Sequence, residues 1–361
     1  IHFRMENLMD TLKYEKFSDF DHNDPFFDSL KKDYKEFPLW LEKKAREGES
    51  AYVLYDDKHK IEGFMYLKEN DDANDINPAL PPGRHLKIGT FKFESKGTLR
   101  GQRFLKKAFD HAFSSKSDDI YVTVFDKHVH LIKLFQTYGF YIHGEKETHN
   151  GKEFVYARSL HEPYGDILLD YPRIMTSRAN KYLLAIYPEY HTRLFPDSKL
   201  VNESPDIVKD ISHANSIHKI YICGMRSVMG MKRGDIIVIY RTGDKKGPAR
   251  YRSVASTLCV VESVKNISEF LSEDSFVDYC IRFSVFSEDE LRKIYKERRY
   301  PFIIRFTYNL SLPKRPNRAI LIDHVGLNGS RAFRWSHFKL TNEQFLKIIE
   351  LGKINESFII H

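Results

Sequence analysis

Apolar and polar positions along the first 160 residues follow two rhythms in turn. Residues 24–34 and 38–46 carry apolar side chains at helical spacing, with Pro38 suited to a first helical position and Gly48 to a stop. Two β-rich runs, 51–55 and 61–68, follow, joined by the charged turn Asp56-Asp57-Lys58-His59-Lys60. Residues 69–83 are acidic and then proline-rich, which predicts a loop, and 86–94 resumes as a strand. An amphipathic helix, a strand at 120–125, a second helix ending in Tyr138-Gly139-Phe140 and strands at 140–143 and 153–158 complete the unit. On the second helix Val129, Ile132 and Phe135 share one face and are assigned to the core. Strands alternating with helices predict an α/β domain whose ligand sits at strand ends.

The pattern changes after residues 162–170, a linker by composition. A helix is expected at 177–186, then a loop to 208. A β-dominated series follows at 217–223, 235–241, 251–264, 302–310 and 319–321, with helices at 288–297 and 342–351. Many short strands with few helices predict a small β-barrel. The expected organisation is therefore an α/β domain over 1–161 and a β-barrel (α+β) domain over 162–361.

Length supports this division, because 361 residues can fill two cores. At 42% hydrophobic and 30% charged residues the chain reads as globular rather than disordered. No apolar run approaches the roughly 18–20 residues that span a bilayer, and residues 1–10 lack a signal-peptide layout. Cys223, Cys259 and Cys280 are odd in number and form no C-x-x-C pair. Neither a disulfide framework nor a metal site is expected, and the default compartment is the reducing cytoplasm. The net charge of +7 is uneven: residues 1–160 hold 26 Lys+Arg against 27 Asp+Glu, and the remainder holds 31 against 23. A polyanionic partner is therefore sought on the second half.

The chemistry of the first half centres on Thr98-Leu99-Arg100-Gly101-Gln102-Arg103-Phe104-Leu105. Free N–H groups at a helix start, flanked by Arg103 and Lys106, make an anion site suited to a pyrophosphate. The stretch and its surroundings resemble the GNAT superfamily of N-acetyltransferases. Arg100 matches the first position of the family's Q/R-x-x-G-x-G/A loop, while Arg103 and Leu105 replace its small residues. The resemblance implies acetyl-CoA as donor, held by Phe93, Arg100, Gly101, Gln102, Arg103 and Phe104, with pantetheine between strands 88–94 and 120–125. The family's N-x-x-A-x-x-x-Y-x-x-x-G-F pattern places His128 at the asparagine, Leu131 at the alanine and Phe135 at the tyrosine. That tyrosine commonly protonates the leaving thiolate, which phenylalanine cannot do. Tyr138, His128 or Thr123 would substitute, or water would. Glu94, at the end of the central strand, is the expected carboxylate, and His85 is another group that titrates near neutral pH. The expected catalytic set is Glu94, His128 and Tyr138.

In the second half Lys232-Arg233-Gly234-Asp235 leads into an apolar strand ending at Tyr240-Arg241. This resembles the K-x-G-D-x-I-x-x-Y segment of PUA-like barrels, the group that includes ASCH and EVE domains, over about 221–340. The resemblance implies RNA binding, with tRNA as one version. Lys232, Arg233, Arg241, Arg250 and Arg252 (with Arg318) would neutralise phosphates, and Tyr240, Tyr251 or Trp335 would stack on a base. Together the two halves imply an N-acetyltransferase acting on an amine acceptor, RNA-linked or aminoacyl-tRNA in one version. A protein or small-molecule acetyltransferase without nucleic acid, and a non-catalytic acyl-CoA-responsive regulator, are the alternatives.

Overall fold

The computed structural model describes residues 11–94, 99–195, 208–209, 216–243 and 247–361. Residues 1–10 and Thr98 lie outside these. The chain divides into two compact units: 1–164 with 202–212, and 165–201 with 213–361. The described residues 208–209 thus belong to the first unit.

In the first unit β1 (Thr11–Lys16), α1 (Asp28–Asp33), α2 (Phe37–Arg46), β2 (Ser50–Tyr55), β3 (Ile61–Asp71) and β4 (His85–Phe93) precede α3 (Arg100–Ser114). They are followed by β5 (Asp119–Val124), α4 (Val129–Thr137), β6 (Tyr141–Thr148) and β7 (Gly151–Ser159). Phe104, Ala108 and Ala112 alternate with Leu105, Phe109 and Phe113 as adjacent buried rows on α3. That spacing of four gives the helix its apolar stripe and seats it on the sheet. On the opposite face Phe17, Phe27, Phe37, Leu41, Phe64 and Tyr66 form a second core with α2.

The second unit runs through β8 (Ile174–Met175), β9 (Lys181–Ile186) and α5 (Pro188–Leu194). The chain then gives β10 (Val208–Lys209), which pairs with β1 of the first unit. It resumes with β11 (His218–Cys223), β12 (Ile236–Arg241), α6 (Ala249–Arg252), β13 (Val254–Asn266), α7 (Glu273–Cys280), α8 (Glu288–Glu297) and β14 (Phe302–Ser311). It closes with α9 (Arg318–Asp323), β15 (His337–Leu340), α10 (Asn342–Gly352) and β16 (Ile359–Ile360). Strand β12 explains the uninterrupted apolar run. Ile236, Val238 and Tyr240 enter one core with α10, while Ile237 and Ile239 enter another with β14. A strand buried on both faces has no polar side to show.

Several expectations are corrected. Residues 181–186 form a strand parallel to β12, not a helix, because both faces of Lys181–Ile186 are covered by its neighbours. Residues 319–321 lie in helix α9, capped by the Asn317 side chain on Ile320 N–H. Among the described residues the sheet runs β11-β14-β13-β12-β9-β15 with no pairing between β11 and β15, so the expected closed barrel is not shown. Among the described residues no helix is long and apolar enough to cross a membrane.

Candidate active site

The first unit's sheet runs β10-β1-β2-β3-β4-β5-β7-β6, and β4–β5 is its parallel pair. Between β3 and β4 the register moves from Leu67↔Ile88 to Tyr66↔Thr90, which leaves Gly89 as an extra residue. A residue inserted in one strand bends it and interrupts its ladder. Pairing with β5 stops at the neighbouring Ile88↔Val122, although β4 continues to Phe93 and β5 to Val124. The two strands therefore fork. Gly89 suits this place, since an added Cβ would sit 3.0 Å from the Tyr66 ring.

The fork opens a cleft of about 830 Å³. Phe91 and Phe93 line it on the side of α3 and α4, and Thr90 and Lys92 on the side of α1 and α2. Beyond Ile88, alternate peptide groups of β4 face the gap without β5 as partner. Such a free strand edge accepts an amide-bearing chain by main-chain hydrogen bonds.

The expected site residues separate. Phe93 and His128 line the cleft. His128 precedes α4, and burial followed by the nearby Lys127 charge lowers its pKa below the ordinary imidazole value, so its ring is neutral at pH 7. Gly101 lies within α3 against β4 and α4: a Cβ there would fall 2.8 Å from both Leu134 Cδ2 and Phe93 Cζ. Gln102 and Arg103 are half-buried on the first turn of α3. The other expectations are corrected. The Arg100 side chain is buried, ion-paired with Glu62 and donating to the Glu94 carbonyl at 3.1 Å, so it points inward rather than to a pyrophosphate. Phe104 is core, edge-on to Phe91. Tyr138 is fully buried and does not line the cleft. Glu94 lies outside the cleft, 3.7 Å from the Lys92 ammonium. Phe135 is also buried, packed on Phe91 and Phe140 with centroids 5.8 and 5.0 Å away. Val129, expected in the core, is 64% exposed and lines the cleft mouth.

Sequence reasoning missed Tyr34, Lys87 and Glu153. Glu153, on β7, is buried and accepts a 2.8 Å hydrogen bond from the Tyr34 hydroxyl, whose ring stacks on Phe125. Burial, reinforced by the Glu153 carboxylate, raises the Tyr34 pKa above its ordinary value. Lys87, on β4, lies over the Tyr121 ring at 5.5 Å. No local signal marks these three, because only the packing of the end of α1 against β4 and β7 brings 34, 87 and 153 to one cleft.

In the second unit a separate cavity of about 880 Å³ is lined by Tyr187, Tyr190, Tyr221, Tyr300, Phe286 and Trp335, with Lys293, Arg299 and Arg334 among them. The expected nucleic-acid residues do not form one patch. Lys232 and Arg233 precede β12 and Arg241 ends it, roughly 20 Å apart at strand rise. Arg233 pairs with Asp166 at 3.0 Å, and Arg250 with Asp323 at 2.7 Å. Tyr240 is 2% exposed, wedged against Trp335, and cannot stack on a base. Trp335 donates its indole N–H to the Asn328 carbonyl. Tyr251 and Arg252, on α6, stand away from the cavity lining.

No protein-family model and no curated protein sequence matches the chain. Solved structures similar to parts of it include acetyltransferases and an ASCH protein. The NatC complex bound to Gag peptide and CoA is 17% identical, covering 41% of this chain and 98% of that one, with a TM-score of 0.30. Ard1 from Thermoplasma volcanium is 13% identical over 42% and 97%, at 0.33. A mutant of ZmASCH from Zymomonas mobilis is 12% identical over 47% and 95%, at 0.31.

Proposed function

We propose that the first unit is an N-acyltransferase that takes its acyl group from acetyl-CoA. The observation that carries this reading is the fork at Gly89, which frees the β4 edge beside a cleft open to both faces of the sheet. A pantetheine arm, with its two amides, suits that edge, and its thioester would lie between Gly89 and Thr123. The start of α3 offers free N–H groups to the pyrophosphate. The leaving thiolate is stable enough near neutral pH to depart without a tyrosine, which accommodates Phe135. Neutral His128 at the mouth is placed to relay protons to solvent. Calorimetric titration with acetyl-CoA, followed by measurement of thiol release with amine acceptors, tests the reading. Absence of binding would sink it. Binding without turnover on any amine would favour the regulator.

A second reading assigns RNA binding to the second unit, and with it an RNA-linked amine such as an aminoacyl-tRNA as acceptor. The aromatic cavity favours it: exposed tyrosine faces such as Tyr187 and Tyr300 stack on unpaired bases, and Arg299 and Arg334 suit phosphate. Double substitution of Tyr187 and Tyr300 by alanine should weaken single-stranded RNA binding in a filter assay. Unchanged binding would remove this cavity from consideration.

A further inference from the structure

The charges lining the first unit's cleft are nearly all committed to one another. Asp33 holds Lys127 at 2.8 Å, Glu36 takes His149 at 3.1 Å and the Asn150 amide at 2.9 Å, and Asp75 is paired with Lys146. Lys92 sits against Glu94 and the Phe26 carbonyl. Among the described residues two cleft-lining charges away from the rim have no ionic partner. Glu153 is buried and bonded only to a hydroxyl, and Lys87 is half-buried with just a ring beneath it. The carboxylate nearest to Lys87's partner ring, Asp71, is taken up by Lys68 and Tyr121. Burial, followed by repulsion from Lys146, lowers the Lys87 pKa against the opposing pull of Asp71 and Asp75, which are paired with Lys68 and Lys146. Charges left uncompensated in a cleft are costly, and a ligand of opposite charge removes that cost.

The two charges share one face of the sheet. Lys87 is opposite Tyr121, and Glu153 precedes Phe154, the antiparallel partner of Val124, so it lies one step beyond Val124. Side chains alternate along a strand, so Lys87, Tyr121, Thr123 and Glu153 project the same way. Four strand residues, roughly 13 Å, separate their rows. The lining as a whole is near neutral, with Lys87, Lys92, Lys127 and Lys146 set against Asp33, Glu36, Asp75, Glu147 and Glu153, and so is poorly suited to a polyanion.

Resting on the acyltransferase reading, we propose that the acceptor is a primary amine bearing one anionic group several bonds away, its ammonium meeting Glu153 and its anion Lys87. A free α-amino acid is too short to reach both. An extended peptide with an acidic second or third residue, or a long ω-amino acid, has the reach. In the reaction an ammonium N–H bond breaks and the proton passes to the Glu153 carboxylate. The nitrogen lone pair forms the C–N bond at the thioester carbon. The C–S bond breaks with its electrons on sulfur, and a second nitrogen proton leaves, giving amide, CoA thiol and one proton released to solvent.

The test is steady-state acetyl transfer by the full chain to Ala-Ala-Glu-amide against Ala-Ala-Gln-amide, and to 8-aminooctanoate against octylamine. Wild type should show KM about tenfold or more lower for the anionic member of at least one pair, and which pair does so identifies the source. Lys87→Met should erase that preference by raising KM with kcat nearly unchanged, while Glu153→Gln should lower kcat. Equal KM within both pairs in wild type, which requires no variant to fold, would overturn the proposal. So would transfer confined to an RNA-linked amine. Acetyl-CoA binding is measured separately: binding without acceptor preference defeats this inference alone, and absence of binding defeats the acyltransferase reading with it.

Discussion

Arg100 and Gly101 stand next to each other in the sequence and do opposite things. Arg100 forms a buried ion pair with Glu62, the two side chains 1% and 7% exposed. Removing one partner of such a pair strands the other charge, at about 3–5 kcal/mol. Arg100→Ala is therefore expected to lower the urea midpoint sharply while leaving the KM for acetyl-CoA of the folded fraction near wild type. A pyrophosphate ligand would show the reverse. Gly101→Ala tests packing. Alanine normally stabilises a helix relative to glycine, by up to about 1 kcal/mol in the interior and less in the first turn, where Gly101 stands. Here the new methyl would meet Leu134 and Phe93 at 2.8 Å. The expected net result is destabilisation of about 1–3 kcal/mol, the cost of overpacking, read from urea denaturation.

At the level of elements, the bulge in β4 decides where the cleft lies. A β-branched residue at 89 fits a regular ladder better than a bulge and would press on the Tyr66 ring. Gly89→Val should weaken acetyl-CoA binding at least about tenfold by calorimetry, through closure of the fork rather than loss of any contact group. Helix α5 carries a different lesson. His191 is buried and hydrogen-bonds Ser256 Oγ at 2.7 Å. Burial, aided by Arg241 and Arg315, brings its pKa down to about 3. The unfolded chain takes up this proton near pH 6.5, so His191 favours the fold fully above that pH. Each unit of pH below it removes about 1.4 kcal/mol until the folded value is neared. Urea midpoints should therefore fall between pH 7 and pH 5, and fall less in His191→Gln. A midpoint flat across that interval would contradict the assignment.

Over the whole molecule, charge divides with the chain: the first 160 residues are near neutral and the rest is basic. If the second unit holds RNA, its affinity should drop steeply between 50 and 200 mM salt, whereas acceptor KM at the first unit's cleft should respond weakly. Filter binding and steady-state kinetics across the same salt series separate the two. The change in hydrophobic rhythm along the chain was legible, since strand and helix periods register locally. The candidate site was legible only in part. His128 and Phe93 sit beside the cleft because they stand at the start of α4 and the end of β4, limits that the sequence marks. Arg100 and Tyr138 carry chemistry by type and Phe104 was expected at the cofactor, yet all three side chains turn inward. Tyr240 was misread in the same way, since an aromatic ending a strand looks the same whether its far side is solvent or Trp335.

What the sequence determined alone are the things set by neighbours along the chain: the stripe of α3, the position of β4 and β5, the turn at Gly234-Asp235 and the uneven charge. What tertiary structure decided is everything that depends on which strand lies beside which. Residues 181–186 became a strand because β12 and β15 supply its partners. The cleft exists because one extra residue at Gly89 parts β4 from β5. Tyr34, Lys87 and Glu153 line it because α1, β4 and β7 converge on that cleft, a juxtaposition that local periodicity does not encode.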